Sequence, residues 1–252
     1  MARNRGWVRR FHEPPSVSCP QLLIFPHAGS GASAYRDFSK TLSTAFEVLI
    51  FQYPGRQDRA AEPALTSLPE IAAGAFDEFA ASEHRRDTPL AAFGHSMGGL
   101  VAFEFVRIAE ARGIPVRRLN VSAAVAPSRV AAKPPHPTAD EDILRHLAAL
   151  EGTGSAVFAS PELMRMALPA IKADYRAFDA YDCPEDARVA APVRVLGGDQ
   201  DPFVPLADLY GWNRHSASVD LTMFSGGHFY FHDHVEMVSN LLATEDRTGH
   251  LA

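Results

Sequence analysis

Short runs of continuous hydrophobicity alternate along the chain with segments whose apolar residues recur at helical spacing. The runs are "QLLIF" (21–25), "FEVLIFQY" (46–53), "PLAAFGH" (89–95), "LNVSAAV" (119–125), "PVRVLGG" (192–198) and "SVDLTMF" (218–224). Near-continuous runs suit strands covered on both faces. Their alternation with helical patterns predicts an α/β fold with a mostly parallel central sheet flanked by helices. One helical segment carries Leu65, Leu68, Ile71, Ala72, Ala75, Phe76 and Phe79 on a single stripe, which predicts a face laid on the sheet. Another runs from about Gly98 to Arg112 and meets a helix stop at Gly113.

The rhythm breaks between Val125 and Pro192, where no strand pattern occurs. Thr138 and Glu141 stand at capping-box spacing ahead of Ile143, Leu144, Leu147 and Leu150. Ser160-Pro161 reads as a second helix start, and Pro169 predicts a kink or break in that helix. The expectation is a helical insertion over about 129–190, either a lid over a site or extra helices packed on a sheet edge. Its Leu163, Met164, Met166 and Leu168 either shape a pocket or simply pack.

Composition narrows the function classes. At 252 residues, 46% hydrophobic and 21% charged, the chain is expected to form a single domain over 1–252. A net charge of −6 argues against nucleic acid, which needs clustered Lys and Arg. Cys19 and Cys183 are the only cysteines, too few for a disulfide framework and wrongly spaced for a zinc site. No apolar run approaches the ~20 residues that span a bilayer. The expectation is a cytoplasmic monomer with no membrane or nucleic-acid partner.

The first chemical motif is "GHSMGG", Gly94 to Gly99. It fits Gly-x-Ser-x-Gly between an apolar strand and a helix, the context in which a sharp turn exposes a nucleophilic serine, Ser96, at the sheet's carboxyl edge. A side chain at either flanking glycine would collide with backbone, and the Met97 amide would face the same space as the hydroxyl. Such a serine needs a base, and the base an orienting carboxylate, in the chain order Ser, Asp, His. "GGDQDP" follows the strand at 192–198, and "SGGH" follows the one at 218–224. His228 is the base candidate. Asp201 is preferred over Asp199 as the acid, because it stands two residues further out and is held by Pro202 and Pro205; Asp199 would cap the turn.

"GSGASA", Gly29 to Ala34, also fits a dinucleotide fingerprint after the first clear strand, so a nucleotide-binding oxidoreductase is a second hypothesis. That fingerprint wants an acidic residue at the end of the next strand, where this chain has Gln52-Tyr53-Pro54. In a hydrolase the same turn offers a backbone amide to an oxyanion. Near the end of the chain, "SGGHFYFHDHVE" collects His228, His232 and His234. A helical continuation puts only two of them on one face, so no metal is expected there.

With these motifs in place, the chain resembles a discrete type II thioesterase of the α/β-hydrolase fold, the kind that accompanies polyketide synthases and nonribosomal peptide synthetases. The resemblance is carried nearly end to end by "WVRRF", "LLIFPHAGSGASAYRDF", "QYPGRQDR", "FGHSMGGLVAFE", "SAAVAPS", "LPAIKADYRAFDAY", "GGDQDP" and "FSGGHFYF". "GHSMGG" alone is common to many hydrolases; its combination with "FPHAG", "YPGRQDR" and "GGHFYF" is more specific.

The resemblance implies Ser96 as nucleophile, Asp201 as orienting acid, His228 as base, and an oxyanion hole of the Ala28 and Met97 amides. It also implies a lid in the unpatterned segment, no cofactor, and a substrate held as a thioester on the phosphopantetheine arm of an acyl- or peptidyl-carrier protein. Members of the family clear stalled or aberrant acyl units. One common form of the elbow ends Met-Gly-Ala; here it is Met97-Gly98-Gly99, a small change in helix packing.

His27 and His95 either line the pocket or are structural. Arg56 and Arg59 either meet phosphate or an acidic partner surface, or form internal salt bridges, and Arg129 and Lys133 are further binding candidates. A general carboxylesterase or lipase with the same triad, and a non-catalytic synthase-docking protein, are the alternative readings.

Overall fold

The computed structural model describes residues 6–151 and 161–244. Seven strands form one sheet: β1 (Val8–Arg9), β2 (Gln21–Phe25), β3 (Glu47–Phe51), β4 (Leu90–His95), β5 (Arg118–Ser122), β6 (Val193–Gly198) and β7 (Val219–Phe224), in the order β1-β3-β2-β4-β5-β6-β7. β1 is antiparallel to β3 and every other pair is parallel. All six hydrophobic runs are strands. β1, at two residues, is too short to carry a period.

The sheet is buried on both sides by alternate residues of each strand. Leu23, Phe25, Leu49, Phe51 and Ala92 pack with α2 (Leu68–Ala81) and α3 (Met97–Ala111). Leu22, Ile24, Val48, Ile50 and Phe93 pack with α1 (Arg36–Leu42) and α7 (Val235–Thr244). α2 begins at Leu68 rather than Leu65 because Ser67 caps it, its Oγ accepting the Glu70 amide at 3.4 Å. α3 stops where Gly113 takes φ +73.

Between β5 and β6 lie α4 (Asp140–Glu151) and α5 (Pro161–Asp179), with no strand among the described residues. α4 starts at Asp140, so its cap position is Ala139, and the expected cap, Thr138, stands one place ahead of it. α5 continues through Pro169, and the Ser160 cap lies outside the described residues. The short α6 (Leu206–Tyr210) joins β6 to β7. No helix among the described residues is long and apolar enough to cross a membrane.

The strand order decides where a site forms. The chain runs from β2 outward to β3 and then returns to place β4 on β2's other side, which opens a crevice beyond the carboxyl ends of β2 and β4. Phe25 pairs with Gly94 at that edge, so the turn after β2 and the turn after β4 emerge side by side.

Candidate active site

β4 ends at His95 and α3 begins at Met97, leaving Ser96 alone to reverse the chain. It does so at φ 55, ψ −125, a conformation that costs a non-glycine residue of order 1–3 kcal/mol. The Ser96 amide donates to Ser122 O at 2.8 Å, tying the turn to β5. A Cβ at Gly94 would stand 2.1 Å from Gly98 O, and one at Gly98 would stand 2.0 Å from Phe25 O. The turn therefore has no room for any other residue at these positions. At Gly99 a Cβ would fall 2.6 Å from the Ala124 side chain, so the Met-Gly-Ala form of this elbow would require Ala124 to move.

Asp201 and His228 meet across the ends of β6 and β7. His228 Nδ1 donates to Asp201 Oδ2 at 2.7 Å, and both side chains are almost wholly buried. The other carboxylate oxygen accepts the Phe203 and Val204 amides at 2.9 and 3.2 Å. Burial pushes the Asp201 pKa up, but the His228 hydrogen bond and charge and the two amides outweigh it, and the net shift is downward. With Nδ1 committed as donor, His228 Nε2 is left as an acceptor. Asp199 faces elsewhere, accepting the Gly226 amide at 3.0 Å and so fastening the loop before His228. Ser96 and His228 line one cavity of about 680 Å³. No hydrogen bond joins them among the described residues.

Ala28 and Met97 line the same cavity. The turn at Ala28 is closed by Ser30 N–H donating to His27 O at 3.1 Å, with Gly29 at φ +73, the signature of a type II turn. The His27 amide donates to the Tyr35 hydroxyl and the Gly29 amide to Asp174 Oδ2. Of the amides from His27 to Ser30, only that of Ala28 has no acceptor among the described residues, and Met97, opening α3, has none either.

The remaining candidates divide. His27 lines the cavity, its Nδ1 2.7 Å from the Tyr35 hydroxyl. Burial, then the charges of His228, His232 and Arg56, lowers its pKa to about 3. His95 is fully buried and bonds Ser122 Oγ at 2.9 Å.

Arg56, expected as a binding residue, does not line the cavity. It is buried against Asp174, with NH1 and NH2 at 2.7 and 2.8 Å from the two carboxylate oxygens, because a guanidinium this deep needs a bidentate partner. Arg59 likewise pairs with Glu62 and stacks 4.8 Å over Trp7. Arg129 also stays off the cavity wall and lies 3.5 Å from Asp208, to which Lys133, at the cavity, is also paired.

The dinucleotide reading loses its loop. Gln52 Oε1 accepts the Ala32 amide at 2.6 Å and its Nε2 donates to Arg56 O, tying the glycine-rich segment to the loop after β3. The three C-terminal histidines part company: His228 goes to Asp201, His232 lies 4.2 Å from the Phe231 ring, and His234 Nε2 is 2.9 Å from Ser225 O.

The insertion supplies much of the cavity wall. Met164 lines it, Leu168 packs beside it with Ile143 and Ile171, and Met166 is exposed; the Leu163 side chain lies outside the described residues. Sequence reasoning missed His136, His146, Tyr175 and Phe203, whose rings also line it. His136 stacks 4.1 Å from Tyr175, and burial followed by the His136 charge lowers the His146 pKa to about 4. It missed Asp174 as well. A carboxylate between Ile171 and Phe178 on an apolar helical stripe was the available signal, since such a residue is buried only with a partner.

A family model described as "Thioesterase domain" matches residues 20–244. The chain is 41% identical to the thioesterase PikA5 of Streptomyces venezuelae, over 93% of this chain and 83% of that protein. It is 42% identical to the phenyloxazoline synthase MbtB of Mycobacterium tuberculosis, over 96% of this chain but only 17% of that protein's length. Among solved structures, the type II thioesterase BorB from the borrelidin biosynthetic cluster superimposes with a TM-score of 0.85 at 38% identity, covering 94% of this chain and 96% of that one.

Proposed function

The chain belongs to the thioesterase domain family, and on that premise we propose that it hydrolyses acyl thioesters carried on the phosphopantetheine arms of carrier proteins. Its place would be polyketide or nonribosomal peptide biosynthesis, where it would clear stalled or aberrant acyl units. The single observation that carries the chemistry is the buried 2.7 Å His228–Asp201 pair opening onto the same cavity as the strained Ser96. The resemblance to PikA5 and BorB supports the substrate class.

In this reading His228 Nε2 takes the Ser96 proton as Oγ attacks the thioester carbon, and the alkoxide forms against the Ala28 and Met97 amides. Donors of this kind are each worth about 10²–10³ in rate. Asp201, kept ionised, stabilises the imidazolium. The tetrahedral intermediate collapses with loss of sulfur, which accepts the His228 proton and leaves as the pantetheine thiol; with a thiol pKa of about 8.5 it needs little acid help. Water deprotonated by His228 then attacks the acyl-serine, and the second tetrahedral intermediate collapses to the free acid as His228 returns the proton to Ser96 Oγ. Protein groups and water suffice for each step. The helices α4 and α5 act as the lid of the cavity.

The test is discharge of carrier proteins loaded with different acyl groups, followed by mass spectrometry, with matched oxygen esters in parallel. The expected result is preferential turnover of thioesters and loss of turnover in Ser96→Ala. Equal turnover of oxygen esters would favour a general esterase. Full activity in Ser96→Ala would end the serine mechanism.

A further inference from the structure

We infer that Asp174 and Arg56 are positioning residues for the oxyanion turn, so that the insertion helix α5 sets the direction of the Ala28 amide. This rests on the serine-hydrolase reading above. The pair is fully internal: Asp174 is 0% and Arg56 4% exposed. Neutralising a buried arginine takes one carboxylate, but this carboxylate does more. Its Oδ2 accepts Arg56 NH1 and the Gly29 amide, each at 2.7 Å. Arg56 NH1 also donates to Ser30 O at 3.3 Å. Both members of the pair thus grip the turn, one from α5 and the other from the loop after β3.

Peptide geometry sets the consequence for Ala28. A trans peptide sets its N–H opposite its C=O. The His27 carbonyl is turned inward to Ser30, so the Ala28 N–H in the same plane must point outward. The next peptide is fixed by the Gly29–Asp174 bond, and the entry by His27 N–H on Tyr35. α5 also closes on the turn sterically, since a Cβ at Gly29 would stand 2.3 Å from Ile171 Cγ1. Release of Asp174 frees the Gly29 amide and leaves Arg56, which grips Ser30 O, without its partner. A misplacement of about 1 Å at a reacting centre costs on the order of 10²-fold in rate.

Removing one charge would strand the other in the interior, so the test replaces both. Arg56→Met/Asp174→Asn keeps an amide oxygen to accept Gly29 N–H, whereas Arg56→Met/Asp174→Leu keeps none. The expected result is a kcat for the Leu double about 10–10²-fold below that of the Asn double, with KM within about twofold. Affinity for an alkyl boronic acid, which becomes tetrahedral on the serine, should fall in parallel. Equal kcat in the two doubles, or a loss appearing equally in KM, would overturn the positioning role.

Should either double fail to fold, exchange of the Gly29 amide in the wild-type protein decides the matter. Strong protection is expected, and exchange at the rate of an open turn would overturn the assignment. Ser96→Ala is assayed alongside. Activity surviving there defeats the hydrolase reading, whereas its loss there with equal doubles defeats only the role of the pair.

Discussion

The sheet edge and the helical insertion build opposite walls of one cavity by different means. At the edge, backbone meets backbone: Ser96 N–H on Ser122 O, Asp199 N–H on Phe224 O, Gln200 N–H on Gly226 O, and glycines whose neighbours stand nearer than any side chain tolerates. On the insertion, rings meet rings: His136 on Tyr175 at 4.1 Å and against Phe178 at 5.0 Å. Main-chain contacts have one solution, while packed rings have several. Under the proposed function, the edge would carry the reaction and the insertion the selection of the acyl group, with the Arg56–Asp174 pair as the buried link between them.

That contrast is exposed to experiment at both walls. Asp201→Asn should lower kcat by about 10⁴-fold, the cost of losing the correct tautomer and orientation of such a histidine, with little change in thermal midpoint. Steady-state hydrolysis of an acyl thioester checks it. An equal loss from Met164→Leu on the facing wall would break the division of labour.

Gly98→Ala should destabilise the fold by about 3 kcal/mol or more, because its Cβ meets carbonyl oxygens that cannot rotate away. Urea unfolding measures it, and a loss under about 1 kcal/mol would show the elbow to be softer than its geometry.

A pH dependence sharpens the picture of the cavity floor. His27 has a folded pKa of about 3 against 6.5 for the free side chain, and His95 is also shifted well down, chiefly by burial. As pH falls, the unfolded chain therefore takes up protons first. Stability present above about pH 6.5 is lost as pH drops below it toward the folded values. Thermal midpoints should decline from about pH 7 to 5, and the decline should be shallower in His27→Asn, whose amide can still bond Tyr35.

The smallest effect belongs to Tyr175→Phe. The hydroxyl is buried with no hydrogen-bond partner among the described residues, so its removal should leave stability within about 1 kcal/mol or raise it. kcat should hold while KM shifts with the acyl chain. A large loss of kcat would place Tyr175 with the reacting groups instead of the wall.

Much of the edge is legible in the sequence. The glycine spacing around Ser96 and the strands before Asp201 and His228 are local features, each contained in about ten residues, because hydrophobic period and turn chemistry act between near neighbours. The same locality explains the errors. The short β1 has no period to detect, and α1 (Arg36–Leu42) is a single short amphipathic stretch behind a 3-10 turn. Arg56 in "YPGRQDR" reads equally well as a phosphate ligand or a salt bridge, and nothing within reach along the chain decides between them.

The sequence by itself determined the layer architecture, the elbow, and the order in which serine, aspartate and histidine arrive at one edge. Only the tertiary structure decided the fate of the charges. Arg56 and Asp174 are 118 residues apart in the chain, and Gly29 is 145 residues from the carboxylate that holds its amide. A buried charge must find its partner in space, and which partner comes within reach is set by how the helices close over the sheet.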